Sequence, residues 1–565
     1  MKKKVINKIL ACLLAAGMVL SVAACGDTGD TNDTPNNPSN SQGGGGTGDS
    51  GNSSGGGEQD TTPEVTEPLI DESFTNITVK LPLTSSAIEE HHDGESEEYD
   101  RLVRELNEYT GMNITWDFLK ESDYYGALEA NIIAGNVGDV IVVGPTDSYF
   151  IRAAEEGLFW DLAPYLDEFD NLSYIPEAVR HNLSYNGKIY ALPRARTLGR
   201  QGAGYRLDWL EALNMKEPET VEDWYEMLYA FTYNDPDGNG VNDTIGMCIE
   251  NAGVYFENME VWFGSPNKWG IDAAGNLVPK QLTEEWRTAV KEFRKWYEEG
   301  LIPSNFDEIA AGRYRQHISG GSDEGYFYGA GTDVLDNLRK IEKDFEGEDY
   351  VVGSGFTFKL VGGMKNTDGQ LHVMPTDGYS GGIAISTTNV KTEAQLRRVL
   401  QFLNDYMDGV PRQLVEKGFQ DQIWYIGEDG YMHDYTEEEH ETLGISSATS
   451  YRDAFNQIHV GYYAPENEKP YSYAPAEEGS VEALEQALYQ SNLDHVVINY
   501  GAGYVSETES QIGAELTAQI DAAKYAYIKG EIDDVGLDAQ IQAWLDAGMQ
   551  KIIEEKNASY HAAGN

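Results

Sequence analysis

Basic residues are scarce in this chain of 565 residues: 40 Lys and Arg stand against 95 Asp and Glu, a formal net charge of −55. Proteins hold DNA and RNA by neutralising phosphates, so a surface of this sign repels them. No basic patch and no aromatic-plus-basic module offers a foothold either, which excludes nucleic acid as a partner. The acidity reads as a solvated, aggregation-resistant surface. Cysteine is scarcer still, with Cys12, Cys25 and Cys248 only. No phosphate-cradling Gly-Lys-Ser/Thr sequence occurs, so any nucleotide hydrolysis belongs to a separate chain. His91-His92-Asp93 has no matching His-x-x-x-His or Cys partner for a metal and reads as polar loop. No internal repeat is found.

What is present begins at the N-terminus. Lys2, Lys3 and Lys4 form a positive cluster, and residues 9–22 are mostly apolar but too few to span a bilayer. The run ends in Val22-Ala23-Ala24-Cys25, similar to a bacterial lipobox. The expectation is a signal peptide over 1–24, cleavage before Cys25, a lipid on its sulfur, and export of the rest, anchored to the membrane without spanning it. The alternative is an ordinary secretory signal with a chance cysteine. Residues 25–68 are rich in Gly, Ser, Asn, Asp, Thr and Pro, with little to bury, and read as a disordered tether. As a flexible coil it reaches about 35 Å. In the mature chain Cys248 is then the one thiol besides the anchor, so no intramolecular disulfide forms there. It reads as buried packing, because a catalytic cysteine needs a His partner that the sequence does not place.

Beyond the tether the spacing predicts an α/β sheet covered on both faces. Residues 77–83 read as a strand, 97–109 as a helix, 113–118 as a strand, 122–135 as a helix, and 139–143 as a continuous apolar strand. Ligands of such sheets gather beyond the carboxyl ends of the strands, here Thr84-Ser85-Ser86 and Pro145-Thr146-Asp147-Ser148-Tyr149. Thr220-Val-Glu-Asp223 is a capping-box pattern that opens a helix, and further helices are predicted over 283–299, from 392 onward, and over 538–556. Trp224, Trp286, Trp296 and Trp544 fall on helical stripes and are expected in cores. Trp262, Trp269 and Trp424 sit in less periodic surroundings and are better candidates for a ligand platform. The 35 Tyr and 10 Trp suit flat, polar-edged faces for sugar rings, though many must be core.

Several short stretches, taken in order, resemble the extracellular solute-binding proteins of bacterial ABC importers. The resemblance is to the large lipid-anchored branch related to maltose- and alginate-oligosaccharide-binding proteins. They are Glu105-Leu-Asn-Glu-Tyr-Thr-Gly-Met-Asn-Ile114, Ala134-Gly-Asn-Val-Gly-Asp-Val-Ile141, Glu156-Gly-Leu-Phe-Trp-Asp-Leu162, Asn186-Gly-Lys-Ile-Tyr-Ala-Leu-Pro193 and Tyr205-Arg-Leu-Asp-Trp-Leu210, then Trp296-Tyr-Glu-Glu-Gly-Leu-Ile302 and Tyr527-Ile-Lys-Gly530. One departure is Ala134-Gly-Asn-Val-Gly-Asp139, where the family often has Ser-Gly-Asp-x-Pro-Asp. The resemblance implies a periplasmic-binding-protein-like fold, two α/β lobes around a hinged ligand cleft. Its lobes would be 69–194, 195–377, a return over 378–425, and a second-lobe completion over 426–565. It implies a monomer that captures a carbohydrate, an oligosaccharide by preference, and delivers it to permease subunits. By position, the cleft would draw on Ser85, Asp147, Tyr149, Arg194, Tyr255, Tyr328 and Tyr379, with Trp262 or Trp424. Arg194 or Arg196 could instead signal an acidic sugar, since a guanidinium suits a carboxylate.

The sharpest local motif is Asp235-Pro-Asp-Gly-Asn-Gly-Val-Asn-Asp243. Asp235, Asp237, Asn239 and Asp243 fall at loop positions one, three, five and nine, Gly240 at six, and the Val241 carbonyl at seven. This spacing wraps oxygens around a hard cation such as Ca²⁺. Position twelve is Gly246 where an EF-hand has Glu, and Thr244 stands where related proteins carry an acid, so the loop is EF-like only. A plain Asp/Gly/Asn turn is the alternative. The expected role is structural. Gly378-Tyr-Ser-Gly-Gly382 fits the G-x-S-x-G spelling of a nucleophile elbow, but a strand is predicted after it where an elbow needs a helix. No enzyme is expected. The readings left open are a peptide or other non-sugar binding lipoprotein, a surface glycoside hydrolase, and a binding protein that reports to a membrane sensor.

Overall fold

A computed structural model of the chain describes residues 69–83, 96–250, 254–310, 312–341, 357–367, 369–452, 454–465, 468 and 470–564. Cys25, Ser85 and the His91-His92 pair lie outside the described residues. The strands that matter are β1 (Asn76–Leu83), β2 (Asn113–Lys120), β3 (Val140–Val143), β4 (Leu192–Ala195), β5 (Gln201–Arg206), β6 (Thr244–Met247), β7 (Phe327–Val334), β8 (Phe358–Val361) and β9 (Tyr379–Ile385). They form two sheets, ordered β2-β1-β3-β9-β4 and β8-β5-β7-β6.

In the first sheet β1 lies parallel to both β2 and β3, while β9 runs antiparallel to β3 and β4. Its centre is fully buried at Val140, Ile141, Val142 and Val143, which is why four consecutive apolar residues sit together there. Helices α1 (Glu97–Thr110), α2 (Glu121–Ile133) and α3 (Ser148–Glu155) join it. The Ser96 side chain caps α1, Leu102 and Leu106 are buried, and Gly111 ends it at φ 63°. The second lobe holds α4 (Val221–Tyr233), α5 (Val254–Glu260), α6 (Glu284–Glu298), α7 (Val481–Leu493) and α8 (Glu507–Ile528). The capping box at α4 forms: Thr220 and Asp223 each accept from the other's backbone N–H. Trp224, Trp286, Trp296 and Trp544 are core residues.

Each lobe has its own core, and the two cores locate the crossings. The chain passes from first sheet to second over 196–200 and returns over 362–378. The third crossing corrects the expected boundary at 425/426. Tyr451, Phe455, Ile458 and Val460 pack in the first core, whereas residues of α7 and α8 pack in the second. Among the described residues the segment between 426 and 460 adds no strand to either of the two large sheets, so its allegiance is invisible to periodicity. The helix expected over 538–556 is also broken. It splits into Asp534–Trp544 and Gln550–Ala562 around Gly548 at φ 143°, where a Cβ would stand 2.6 Å from Ile512 on α8. Among the described residues no helix is long and apolar enough to cross a membrane.

The second core encloses charge. The Glu260 carboxylate, at the end of α5, lies 2.7 Å from Lys280 Nζ and 3.3 Å from Lys524 Nζ of α8, and all three side chains are buried. Burial alone would raise the Glu260 carboxyl; the two ammonium groups outweigh it and hold the group down to about 2. A carboxyl depressed on folding stabilises the native state above its unfolded value, and that contribution is lost as pH falls through the native one. Stability should therefore fall between about pH 4.3, the ordinary glutamate value, and about 2. Glu260→Gln, which strands two buried ammonium groups, is expected to cost about 3–5 kcal/mol. Urea unfolding at a series of pH values checks both. An unchanged midpoint for Glu260→Gln at pH 7 would show the pair to be dispensable.

Candidate functional site

The first lobe presents a polar, aromatic face where β3 ends. The Asp147 carboxylate folds back over Gly144, where a Cβ would meet Oδ2 at 2.2 Å and displace it. Asp147 occupies the N-cap position of α3 without capping it through its side chain. Its Oδ2 accepts instead from Tyr149 Oη at 2.6 Å. Burial and then this carboxylate push the Tyr149 phenol well above its ordinary value, so it is a neutral donor at any physiological pH. Two adjacent tyrosines of α2 divide the work. Tyr124 is buried and donates to the Val142 carbonyl at 2.7 Å, locking α2 to the sheet, while Tyr125 is 44% exposed. Tyr125 is signalled in the sequence only as one of two adjacent tyrosines on a helix with one buried face, so that when Tyr124 is buried its neighbour points outward.

Arg194, on β4, faces Tyr125. Its Nη2 donates to Gln457 Oε1, and its Nε is buried with no hydrogen-bond partner among the described residues. Gly381, at φ 142°, leaves its room: a Cβ there would stand 3.1 Å from Arg194 Nη1. Arg196 follows on the first crossing and donates to the Ala195 carbonyl at 2.9 Å. Arg200 closes the row on the second lobe with a bidentate pair to Asp336 at 2.9 and 2.8 Å. Burial lowers both Arg194 and Arg196, and Arg200 lowers Arg196 further, whereas the hydrogen bonds to Asp336 raise Arg200.

The structure thus gathers Asp147, Tyr149 and Arg194. Tyr379 starts β9 half-buried, its phenol donating to the Asn182 carbonyl at 3.4 Å. Four expected ring platforms need correction, since none offers an open ring face. Trp262 is 2% exposed and packs edge-on to Trp224, and Tyr328 lies under His317. Tyr255 is buried with its phenol on Glu250 at 2.8 Å. Trp424 donates from Nε1 to the Gly418 carbonyl at 2.8 Å within a small satellite core. Trp269 is buried as well. Irregular spacing singles out Trp262, Trp269 and Trp424, and position in the resemblance singles out Tyr255 and Tyr328, but long-range packing covers all five.

The hydrolase spellings find no support in geometry. Ser380 lies inside β9 and not at a strand-to-helix turn. A His partner for Cys248, which the sequence could not place, exists: His317 Nδ1 is 3.7 Å from its sulfur. Burial, then Glu250, raises the thiol well above its ordinary value, and burial lowers His317, so both are held neutral in the core.

The 235–243 loop joins α4 to β6. Asp235 Oδ2 accepts from the Gly240 N–H at 3.1 Å with Gly240 at φ 76°, and Asn239 Oδ1 accepts from the Val241 N–H. The Asn239 amide nitrogen sits 2.8 Å from Asp237 Oδ2 and 3.3 Å from both oxygens of Asp243. Burial and the neighbouring Asp235 and Asp243 raise the Asp237 carboxyl. Among the described residues no group of three or more His, Cys, Asp or Glu is already arranged as a metal site. Two carboxylates, Asp237 and Asp243, converge on one amide nitrogen with Asp235 beside them, and a cation there would relieve their repulsion.

The family model for bacterial extracellular solute-binding protein matches residues 101–403. The chain belongs to this family. Among curated proteins it is similar to lipoprotein LipO of Bacillus subtilis, 29% identical over 474 residues, covering 82% of this chain and 89% of that one. It is also similar to the polygalacturonan/rhamnogalacturonan-binding protein YtcQ of B. subtilis, 27% identical over 471 residues with the same coverage. Among solved structures it shares its fold with an HMO-binding ABC-transporter-associated solute-binding protein of Bifidobacterium longum infantis (18% identity, TM-score 0.59, covering 86% and 98%). A second is the S. pneumoniae substrate-binding protein FusA, as an EF-hand mutant in complex with fructo-nystose (17% identity, TM-score 0.53, covering 86% and 99%).

Burial of the Cys248 thiol has a direct consequence. In the native chain it is expected to resist alkylation by iodoacetamide and to react fully in urea, as read by peptide mass mapping. Rapid native labelling would refute the inert core assignment.

Proposed function

We propose that this chain is an exported, lipid-anchored binding protein that captures a carbohydrate of oligosaccharide size between its two lobes and passes it, unconverted, to the permease subunits of an ABC importer. The observation that carries the proposal is the Tyr125–Asp147–Tyr149–Arg194 face at the carboxyl end of β3, beside the crossings that join the lobes. Sugar rings stack on exposed aromatic faces, and hydroxyls pair with short polar groups, so this face offers both kinds of contact. Membership of the extracellular solute-binding family supports the reading. So do the saccharides named for YtcQ and FusA. LipO, a lipoprotein by name, and the lipobox-like Cys25 support the anchor.

We also propose Ca²⁺ as a structural cofactor on Asp235, Asp237, Asn239, Asp243 and the Val241 carbonyl. Rotation of the Asn239 amide would turn its oxygen to the cation. The EF-hand recorded for FusA supports the reading.

Thermal unfolding of the full chain against a panel of glycans, amino acids and peptides tests the first proposal. A bound glycan should stabilise by about 2.7 kcal/mol at a hundredfold excess over its dissociation constant, with no degradation of the glycan. Stabilisation by peptides alone would replace the sugar assignment, and disappearance of the glycan would make the protein a hydrolase. For calcium, a chelator should lower the unfolding temperature, and Asp235→Asn with Asp243→Asn should abolish that sensitivity. A chelator without effect would reduce the loop to a turn.

A further inference from the structure

Acid is abundant in this chain, and arginines away from the crossings use it: Arg180, Arg287, Arg294 and Arg397 each hold a carboxylate within 2.8 Å. Arg194 and Arg196 do not. Among the described residues neither has a carboxylate at ion-pair distance; Arg194 meets a neutral amide and Arg196 a backbone carbonyl. The acid nearest in the row, Asp336, has both oxygens committed to Arg200.

Backbone geometry brings the two together. Arg194 lies in β4, and Arg196 continues the extended chain, its N–H donating to the Gly378 carbonyl at 2.9 Å. Residues two apart on extended chain point to one side. Gly381 leaves space beside the Arg194 guanidinium, and Tyr125, Tyr149 and Asp147 lie on the same face. Two partly desolvated like charges side by side are unfavourable until an anion joins them: burial and then Arg196 lower Arg194, and burial and then Arg200 lower Arg196. A neutral sugar hydroxyl could accept from a guanidinium but would not remove that repulsion. A carboxylate matches the planar fork and removes it.

We infer that the ligand is an acidic saccharide, and that Arg194 and Arg196 together receive a sugar-ring carboxylate of the uronate type. The inference rests on the carbohydrate-binding reading above and narrows it. The net charge of −55 requires the contact to be short-ranged, since the whole surface opposes an anion's approach. Asp147, tied to Tyr149, lies on the same face and can accept from ring hydroxyls, so carboxylate and hydroxyl contacts fall to different residues.

Isothermal titration of the full chain would use trimers of galacturonate and mannuronate, the methyl esters of both, maltotriose, and triglutamate. A uronate trimer is expected to bind at least tenfold more tightly than its own ester and than maltotriose. Arg196→Gln should shrink the acid-over-ester preference below threefold at an unchanged unfolding temperature, because Arg196 is exposed. Arg194→Lys, which keeps the charge but loses the fork, should also reduce the preference. Equal affinity for acid and ester, or tighter binding of maltotriose, would overturn the acidic assignment and leave carbohydrate capture standing. Binding of triglutamate alone, or of no saccharide, would overturn both.

Discussion

The two lobes are joined by chain segments that run side by side and hydrogen-bond to each other as strands do. The Arg196 N–H donates to the Gly378 carbonyl at 2.9 Å, and the Thr376 N–H donates to the Leu198 carbonyl at 3.0 Å. Thr376 Oγ1 adds a bond to the Thr197 carbonyl at 2.9 Å. A single crossing would be a swivel. Two paired crossings restrict the lobes to a bend about a defined line, because twisting one segment against the other breaks backbone bonds. The third part of the chain to reach the hinge clamps this pair from the second lobe. Asn492 of α7 donates to the Gly199 and Gln201 carbonyls, and residues 495–497 exchange backbone bonds with Val373. Gly199 allows the approach, since a Cβ there would stand 2.8 Å from the Tyr489 carbonyl oxygen.

That arrangement explains why the arginine row matters mechanically as well as chemically. Arg194 belongs to the first sheet, Arg196 to the crossing, and Arg200 to the second lobe through Asp336. A ligand touching the first two contacts the hinge segment itself, where a small change of angle is a large displacement at the lobe tips. Closure is favoured only by contacts made better in the closed form than in the open one. An ion pair meets that condition, because expelling water as the lobes approach lowers the local dielectric and strengthens it.

Much of this fold was legible in the sequence where a local rule and the tertiary environment agree. Val140 to Val143 read as a buried strand, Thr220 and Asp223 as a capping box, and Trp224, Trp286, Trp296 and Trp544 as core stripes, because each depends on neighbours within one or two turns. The illegible parts depend on partners well outside any local sequence window. His317 beside Cys248, Asn492 on the Gly199 carbonyl, and the kink where Gly548 meets Ile512 leave no periodic trace. The candidate site divides the same way. Asp147 and Tyr149 follow from the strand-end rule, and Arg194 from its place before the crossing. Trp262 and Trp424 failed because irregular spacing reports the absence of a helix or strand stripe and not exposure.

A hinge is useful only if the bodies on either side are stiff, and a short edge strand of the second lobe poses the difficulty. β6 has four residues and lies at the sheet edge, paired with β7 alone. Its approach is the acidic 235–243 loop, whose last acid also supplies the carbonyl that receives the Phe327 N–H at the start of β7. Repulsion among Asp235, Asp237 and Asp243 therefore acts at the point where β6 and β7 first meet. A cation held there would convert that repulsion into a staple between loop and sheet, making the lobe move as a unit. On this view the loop and the hinge serve one end by opposite means. With a cation bound, the loop would remove freedom within a lobe so that the remaining freedom lies between lobes, where a ligand can act on it.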